Sequence, residues 1–509
     1  MSQTKSLKVN SVINIIKTVL SIIFPLITFP YASRVLGVNG IGRVDYANSI
    51  SNYFVLFAEL GITTYAVREG AKIRENKEQL NQLCSEIVII NSISTAVAYT
   101  GLVLCSFLPV LKNYQNILLL CGTTMIFNLI GVNWIFNIFE DYVYITVRTF
   151  VFQVLALICM FCFVRSSDDY IIYAGLVVMA NVGSNIFNIF YKRKYIKLFG
   201  RKHYELKKHL PPILIIFGMS VASQIYLNMD TTMIGAMKGE TEVGLYSAAV
   251  KLNRTLTTLI SSACTVLIPR LSYYIKQGME KEYKEIIYNA VNYLIGLAIP
   301  CAFGFILLSN ELITIFSGAE FQNAVPIMCI LSPNIVLSAI NGLLVFQIFV
   351  PFGKEKDTLI STIAGACVNM VFNFVLIIPY GARGAAVATI IAEGTVYLIL
   401  SIKMRRFYRN VKLYGELWKY FVAGLGMFAV GLYIRTFNLT IIPSICVTVL
   451  SCVVVYFILL NILNAKIIRL ATAALLRKKR RFASCHRLRP SSCISSIRSA
   501  TCSTKSAFF

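Results

Sequence analysis

A chain that returns about fourteen times to an apolar run of roughly 20 residues has few folds open to it. Runs of that length suit helices crossing about 30 Å of hydrocarbon at ~1.5 Å per residue; barrel strands need only about 10. Lipid offers no partner to an unpaired backbone N–H or C=O, so helices are expected to supply every span. Composition agrees. The chain is 57% hydrophobic and 14% charged, with mean hydropathy +0.70, whereas about a quarter of an ordinary soluble domain is charged. The expected fold class is an all-α integral membrane protein of about fourteen transmembrane helices.

The spans fall at roughly 11–31, 44–66, 84–109, 115–139, 143–164 and 170–191, then 211–230, 243–268, 287–309, 325–350, 358–379 and 384–402, with two more near 417–436 and 440–463. This gives an N-terminal six-helix lobe over 1–200, a C-terminal six-helix lobe over 201–410 and two extra helices within 411–476. No segment reads as a cleaved secretory leader, and the first span is expected to act as its own signal.

The formal charge of +25 reports loop topology first. One set of loops holds Arg68, Lys72, Arg74 and Lys77, then the run from Lys192 to Lys208, then Arg270, Lys276, Lys281 and Lys284, then Lys354 and Lys356, then Lys403 to Lys419. The opposite loops hold isolated cations: Arg34, Arg43, Lys112, Arg165, Lys238, Arg383 and Arg435. This alternation is the positive-inside pattern, and it places both termini in the cytoplasm. From Arg477 the composition changes to a basic, Ser- and Cys-rich tail over 477–509, with nine basic residues and no acid, so residues 1–476 carry 39 − 23 = +16. Either the tail is disordered and held to anionic lipid by Arg477 to Arg481, or it has no evolved role, as after a shifted reading frame.

Two stretches echo each other. Tyr31–Phe54 and Asn228–Arg254 both leave an apolar span, pass a Gly-containing turn and enter Gly-x-x-x-x-Ala, at Gly42–Ala47 and Gly244–Ala249. Related hinges roughly 200 residues apart point to two homologous halves, a construction common among secondary transporters. Together with Ser33-Arg34-Val35-Leu36-Gly37, Asp230 to Gly235, Gly244-Leu245-Tyr246-Ser247-Ala248-Ala249 and the run from Pro379 to Thr389, these motifs resemble the polysaccharide (O-antigen/capsule-type) flippase family. That family lies within the multidrug/oligosaccharidyl-lipid/polysaccharide exporter superfamily. The resemblance covers about residues 8–470. It implies two six-helix lobes around a central cavity, alternating access, and carriage of an undecaprenyl-diphosphate-linked oligosaccharide across the bacterial cytoplasmic (inner) membrane. It also implies membrane lipids and, as companions, a glycan polymerase and a chain-length regulator.

An ionisable side chain inside a span is costly and is a functional candidate by default. A diphosphate cargo calls for cations, and arginine's planar fork suits phosphate. The substrate-binding candidates are Arg254, Lys251 three residues before it on the same face, Lys17 in the first span, and Arg34 at that span's end. The structural alternatives are an ion pair of Arg254 with Asp230 or Glu393, snorkelling of Lys17, and interfacial anchoring of Arg34. Arg148, near the end of the fifth span, carries the same ambiguity. Asp45, Asp230, Glu59 and Glu393 are candidates for ion coupling, by proton or sodium, or for salt bridges that lock a lobe. Asparagines recur at helical spacing (Asn133 and Asn137; Asn181, Asn185 and Asn188; Asn369 and Asn373) and could meet sugar hydroxyls or glue helices together. Pro25, Pro30, Pro300 and Pro326 are candidate bending points.

Other chemistries find little support. No Walker A motif is present, so ATP does not drive this chain directly. Three histidines, His203, His209 and His486, fall in loop and tail. Eleven of the fourteen cysteines are scattered through apolar segments and read as small hydrophobes. Cys159 and Cys162 read as packing, and Cys485, Cys493 and Cys502 lack metal-site spacing. No metal or cofactor is expected. Nucleic acid is not expected either, since positive-inside charge accounts for the basic loop. The alternatives to the flippase are a cation-coupled multidrug/toxin antiporter of the same superfamily and a membrane glycan polymerase or ligase. The first wants an acidic cavity; the second wants a sizeable external loop.

Overall fold

The computed structural model describes residues 7–200, 204–265, 268–407, 415–437, 440–470 and 472. The helices, in chain order, are α1 (Leu7–Glu59), α2 (Ile62–Lys72), α3 (Lys77–Ser106), α4 (Gln115–Gly131), α5 (Asn133–Ile138), α6 (Tyr142–Phe163), α7 (Tyr170–Val182), α8 (Asn188–Tyr191), α9 (Leu210–Lys238) and α10 (Glu240–Thr265). They continue with α11 (Ile268–Lys276), α12 (Glu280–Leu307), α13 (Ser309–Ser317), α14 (Val325–Leu343), α15 (Glu355–Tyr380), α16 (Ala382–Phe407), α17 (Leu417–Arg435) and α18 (Ile441–Ile462).

Twelve segments among the described residues are long and apolar enough to cross a membrane. One of them, Ile23–Lys72, contains two spans, because α1 breaks at Gly37 (φ 67°, ψ −176°). Helix α10, which carries Lys251 and Arg254, is not among the twelve. Splitting the first and adding the second raises the twelve to the expected fourteen.

Local chemistry sets several boundaries. Asn76 caps α3 by accepting from the Gln79 N–H at 3.2 Å. Pro211 and Pro212 sit in the first turn of α9, where a missing N–H costs nothing. Between α9 and α10 lies a single residue, Gly239 (φ 85°, ψ −174°). The connection between the spans expected at 211–230 and 243–268 is therefore shorter: Glu240 and Glu242 already belong to the first turn of α10. The bend in α1 falls at Gly37 rather than at Pro25 or Pro30, which lie within its helical part. Only glycine occupies that left-handed conformation cheaply.

Two compact units form. One comprises Met1–Val250, Ile313–Ile327 and Thr362–Thr389; the other comprises Lys251–Leu312, Met328–Ser361 and Ile390–Phe509, each over its described residues. In the first, Ile62, Leu80, Ile87, Trp134 and Ile213 build a core joining α2, α3, α5 and α9. In the second, α12 packs on α14, α17 and α18 through Ile295, Ile299, Ile335, Met427 and Leu460. Its buried tyrosines satisfy their polar tips: Tyr420 donates to Asn292 Oδ1 at 3.0 Å and Tyr456 to the Gly296 carbonyl at 2.8 Å. Large apolar side chains such as Val97, Ile215 and Ile462 stand outward, as a lipid-facing surface requires. The tail 477–509 lies outside the described residues.

Candidate gate and ion site

The two echoing stretches meet within the first unit. Gly37 and Gly239, 202 positions apart, share almost the same unusual backbone conformation. Five residues after each comes the close approach. A Cβ on Gly42 would lie 1.8 Å from the Glu240 carbonyl oxygen, and one on Gly244 would lie 2.1 Å from the Val38 carbonyl oxygen. Val38 and Glu240 also correspond at the same offset, so the contact is reciprocal, as about a local two-fold axis. Real Cβ atoms do not tolerate such distances, so both positions need glycine.

Polar links surround this backbone contact. Arg43 Nε donates to Glu240 Oε1 at 2.8 Å, and Tyr114 donates to Glu240 Oε2 at 2.8 Å. Thr241 donates to Asn39 Oδ1 at 2.7 Å, and Thr232 donates to Ser49 Oγ at 3.0 Å. Arg43, expected in a loop, lies inside the second part of α1, because the break at Gly37 is a single residue long. Arg34 donates to the carbonyls of Pro30, Thr314 and Ile315. It thus sits at the C-terminal end of α13, where a cation complements the helix dipole.

Nine residues before Gly239, in α9, lies Asp230, 9% exposed. Its Oδ2 accepts from Tyr246 Oη at 2.5 Å and Thr389 Oγ1 at 2.8 Å, and its Oδ1 accepts from Asn373 Nδ2 at 2.6 Å. Asn373 Nδ2 also donates to Asn369 Oδ1 at 3.0 Å, and Asn373 Oδ1 is buried without a hydrogen-bond partner. Four elements, α9, α10, α15 and α16, therefore bring a carboxylate, two side-chain amides and two hydroxyls together. These are hard oxygen donors of the kind that suit an alkali cation, and the carboxylate can equally take a proton. No group of three or more His, Cys, Asp or Glu able to hold a metal occurs among the described residues.

The remaining candidates are placed separately. Lys251 is half-buried and Arg254 exposed on α10. Lys17 belongs to α1, but its side chain lies outside the described residues. Asp45 is half-buried on α1. Glu59, at the end of α1, accepts from Asn128 Nδ2 at 2.8 Å. Glu393 accepts from Asn341 Nδ2 at 2.6 Å and Ser338 Oγ at 3.1 Å within the second unit. The partners of Asp230 and Glu393 named above are amides and hydroxyls.

Two buried clusters are joined only by the fold. Arg148 is buried among Asn133, Asn185 and Asn188. His209, expected in a loop, is buried: its Nε2 lies 2.7 Å from Glu86 Oε2 and its Nδ1 lies 2.7 Å from Tyr65 Oη. The asparagine spacing hints at the first. The second joins residues 123 and 144 positions apart, which no local pattern reveals.

These elements define a class: a multi-pass helical membrane transport protein in which one glycine hinge recurs. The chain belongs to the polysaccharide biosynthesis protein family, whose model matches residues 7–275. The MatE model matches residues 215–375. Among curated relatives, the chain is similar to the "Putative O-antigen transporter" of Escherichia coli (strain K12), 24% identical over 77% of this chain and 94% of that one. Among solved structures it is similar to lipid II flippase MurJ in an inward closed conformation (TM-score 0.69, 18% identity, 90% of this chain and 99% of that chain). It is also similar to an inward-facing multidrug resistance MATE family transporter (TM-score 0.58, 13% identity, 75% and 94%). At these identities the solved structures share the fold.

Proposed function

We propose that the chain is a flippase for lipid-linked glycans. Its cargo is an undecaprenyl-diphosphate-linked oligosaccharide, and it works by alternating access of the lobes 1–200 and 201–410, with 411–476 as accessory helices. The observation that carries this reading is the reciprocal contact at Gly42 and Gly244. Alternating access needs a seal that closes between related halves and reopens, and a seal of bare backbone at repeat-equivalent positions suits that task. Helix α10 continues from the seal to Lys251 and Arg254, cations matched to a diphosphate. By the loop charges the seal faces the periplasm and both termini face the cytoplasm. Family membership and the name of the E. coli relative support the glycan cargo. The MATE-like fold keeps the antiporter as the second reading, but cationic drugs want an acidic pathway. In this scheme Asp230 with Asn369, Asn373 and Thr389 couples transport to sodium or protons, while Lys17, Arg34, Asp45, Glu59 and Glu393 contribute as cavity or lobe-locking groups.

Translocation in proteoliposomes tests the reading. Undecaprenyl-diphosphate oligosaccharide is loaded in one leaflet and followed into the other, with a sodium gradient, a proton gradient or neither. Wild type is expected to transport, Arg254→Ala to lose about tenfold or more of that rate, and Asp230→Asn to lose the response to the coupling ion. Drug efflux insensitive to Arg254→Ala, with no glycan transport, moves the assignment to the antiporter. Formation of glycosidic bonds by the purified chain moves it to the polymerase.

A further inference from the structure

A groove of about 810 Å³ opens on the first unit between α6 and the α8 region. Its walls are Val143, Val147, Val151, Phe152, Phe187 and Phe190, most of them exposed. Its polar end is Arg148, Tyr144, Tyr191 and Asp141. The volume falls in the range of ligand sites, roughly 300–1,000 Å³.

The guanidinium makes this more than a lipid-facing crevice. Arg148 is 8% exposed. It donates to Asn188 Oδ1, to Asn133 Oδ1 at 2.8 Å and to Asn185 Oδ1 at 3.2 Å, and it lies 5.4 Å from the Tyr144 ring centroid. Of the five N–H donors an arginine carries, Nε–H has no hydrogen-bond partner among the described residues. Among the described residues none of its partners is a carboxylate. Asp141, at the same polar end, accepts instead from Tyr191 at 3.0 Å and Tyr195 at 2.8 Å. Amide dipoles hold the guanidinium in place but leave a full positive charge in a membrane span, a costly arrangement without an anion. Three cations follow Tyr191 in the chain, Lys192, Arg193 and Lys194, with Arg193 6.0 Å from the Phe190 ring and Lys194 5.4 Å from the Tyr191 ring.

We propose that this groove holds an acidic phospholipid of the bilayer. Its phosphate lies at the Arg148 end and an acyl chain runs along Val147, Val151 and Phe187. Apolar walls fit the chain, and charge complementarity selects the headgroup. The proposal stands apart from the transported cargo and does not depend on it.

Native mass spectrometry of the purified full chain tests it, with phosphatidylglycerol, phosphatidylcholine and undecaprenyl phosphate offered in equal amounts. Wild type is expected to retain phosphatidylglycerol about tenfold or more over phosphatidylcholine, and Arg148→Gln to abolish that preference. Val151→Trp fills the groove from its lipid-facing wall and leaves the Arg148 network in place. It is expected to lose the adduct while unfolding at the wild-type temperature, and it decides the matter where Arg148→Gln fails to fold. Equal retention of the two phospholipids by wild type overturns the proposal, as does a preference unchanged in Val151→Trp. Stronger retention of undecaprenyl phosphate than of phosphatidylglycerol also overturns it, and assigns the groove to the cargo.

Discussion

Gly42 and Gly244 show what a single residue decides. A methyl group on Gly42 meets backbone, the Glu240 carbonyl, which cannot swing aside as a long side chain could. Overpacking of this kind costs about 1–3 kcal/mol, and here it falls on the closed seal alone. A bias of about 1 kcal/mol shifts a two-state population roughly fivefold. Gly42→Ala is therefore expected to raise maleimide labelling of a cysteine placed at Ser49, 4% exposed in the closed form, in a background with the native cysteines replaced. Gly218, with nothing within 4 Å of its would-be Cβ, supplies the control: Gly218→Ala leaves labelling unchanged. Glycine spacing is legible in a sequence because it repeats. That the two glycine motifs touch each other is not, because a repeat does not say where its copies pack.

Among elements, α2, α3 and the start of α9 are tied by one buried node. Glu86 accepts from the Glu205 N–H at 2.9 Å and Gln82 Nε2 at 3.0 Å, beside His209, with Lys208 3.4 Å away. Burial alone would lower the Lys208 ammonium, but Glu205 and Glu86 outweigh it and hold its pKa above the ordinary lysine value. The segment leading into α9 is thus held to α3 by a carboxylate rather than by apolar packing alone. Glu86→Ala leaves several buried donors without an acceptor and is expected to cost about 3–5 kcal/mol. Glu86→Gln keeps an acceptor and is expected to cost less. Thermal unfolding in detergent should rank them wild type, Gln, Ala. The sequence made α3 and α9 visible through their apolar length and the proline pair of α9. It left His209 in a loop because residue type and neighbours carry no sign of a partner 123 positions away. Asp230 fared better: it stood out as an acid among apolar neighbours, and Asn369 and Asn373 stood out by spacing, though nothing local joined the three.

For the whole molecule, span number and alternation were readable because lipid imposes one length and one charge rule on every segment. The break at Gly37 and the one-residue turn at Gly239 were less so, since hydropathy changes little across them. Reporter fusions check the side assignment. Green fluorescent protein joined after Lys194 is expected to fluoresce, and alkaline phosphatase joined after Lys112 is expected to be active; exchange of the two results would invert the topology and place the Gly42 seal on the cytoplasmic side.

Arg148 also sets a schedule for synthesis. Its amide partners Asn185 and Asn188 lie 37 and 40 residues further along the chain. At about 5–20 residues per second, a ribosome takes roughly 2–8 s to supply them after Arg148 has been made. During that interval Arg148 has one of its three amide partners, Asn133, already in the chain. Full compensation of the charge is expected only once the chain through Asn188 has been made, which couples the insertion of α6 to that of the segment after it.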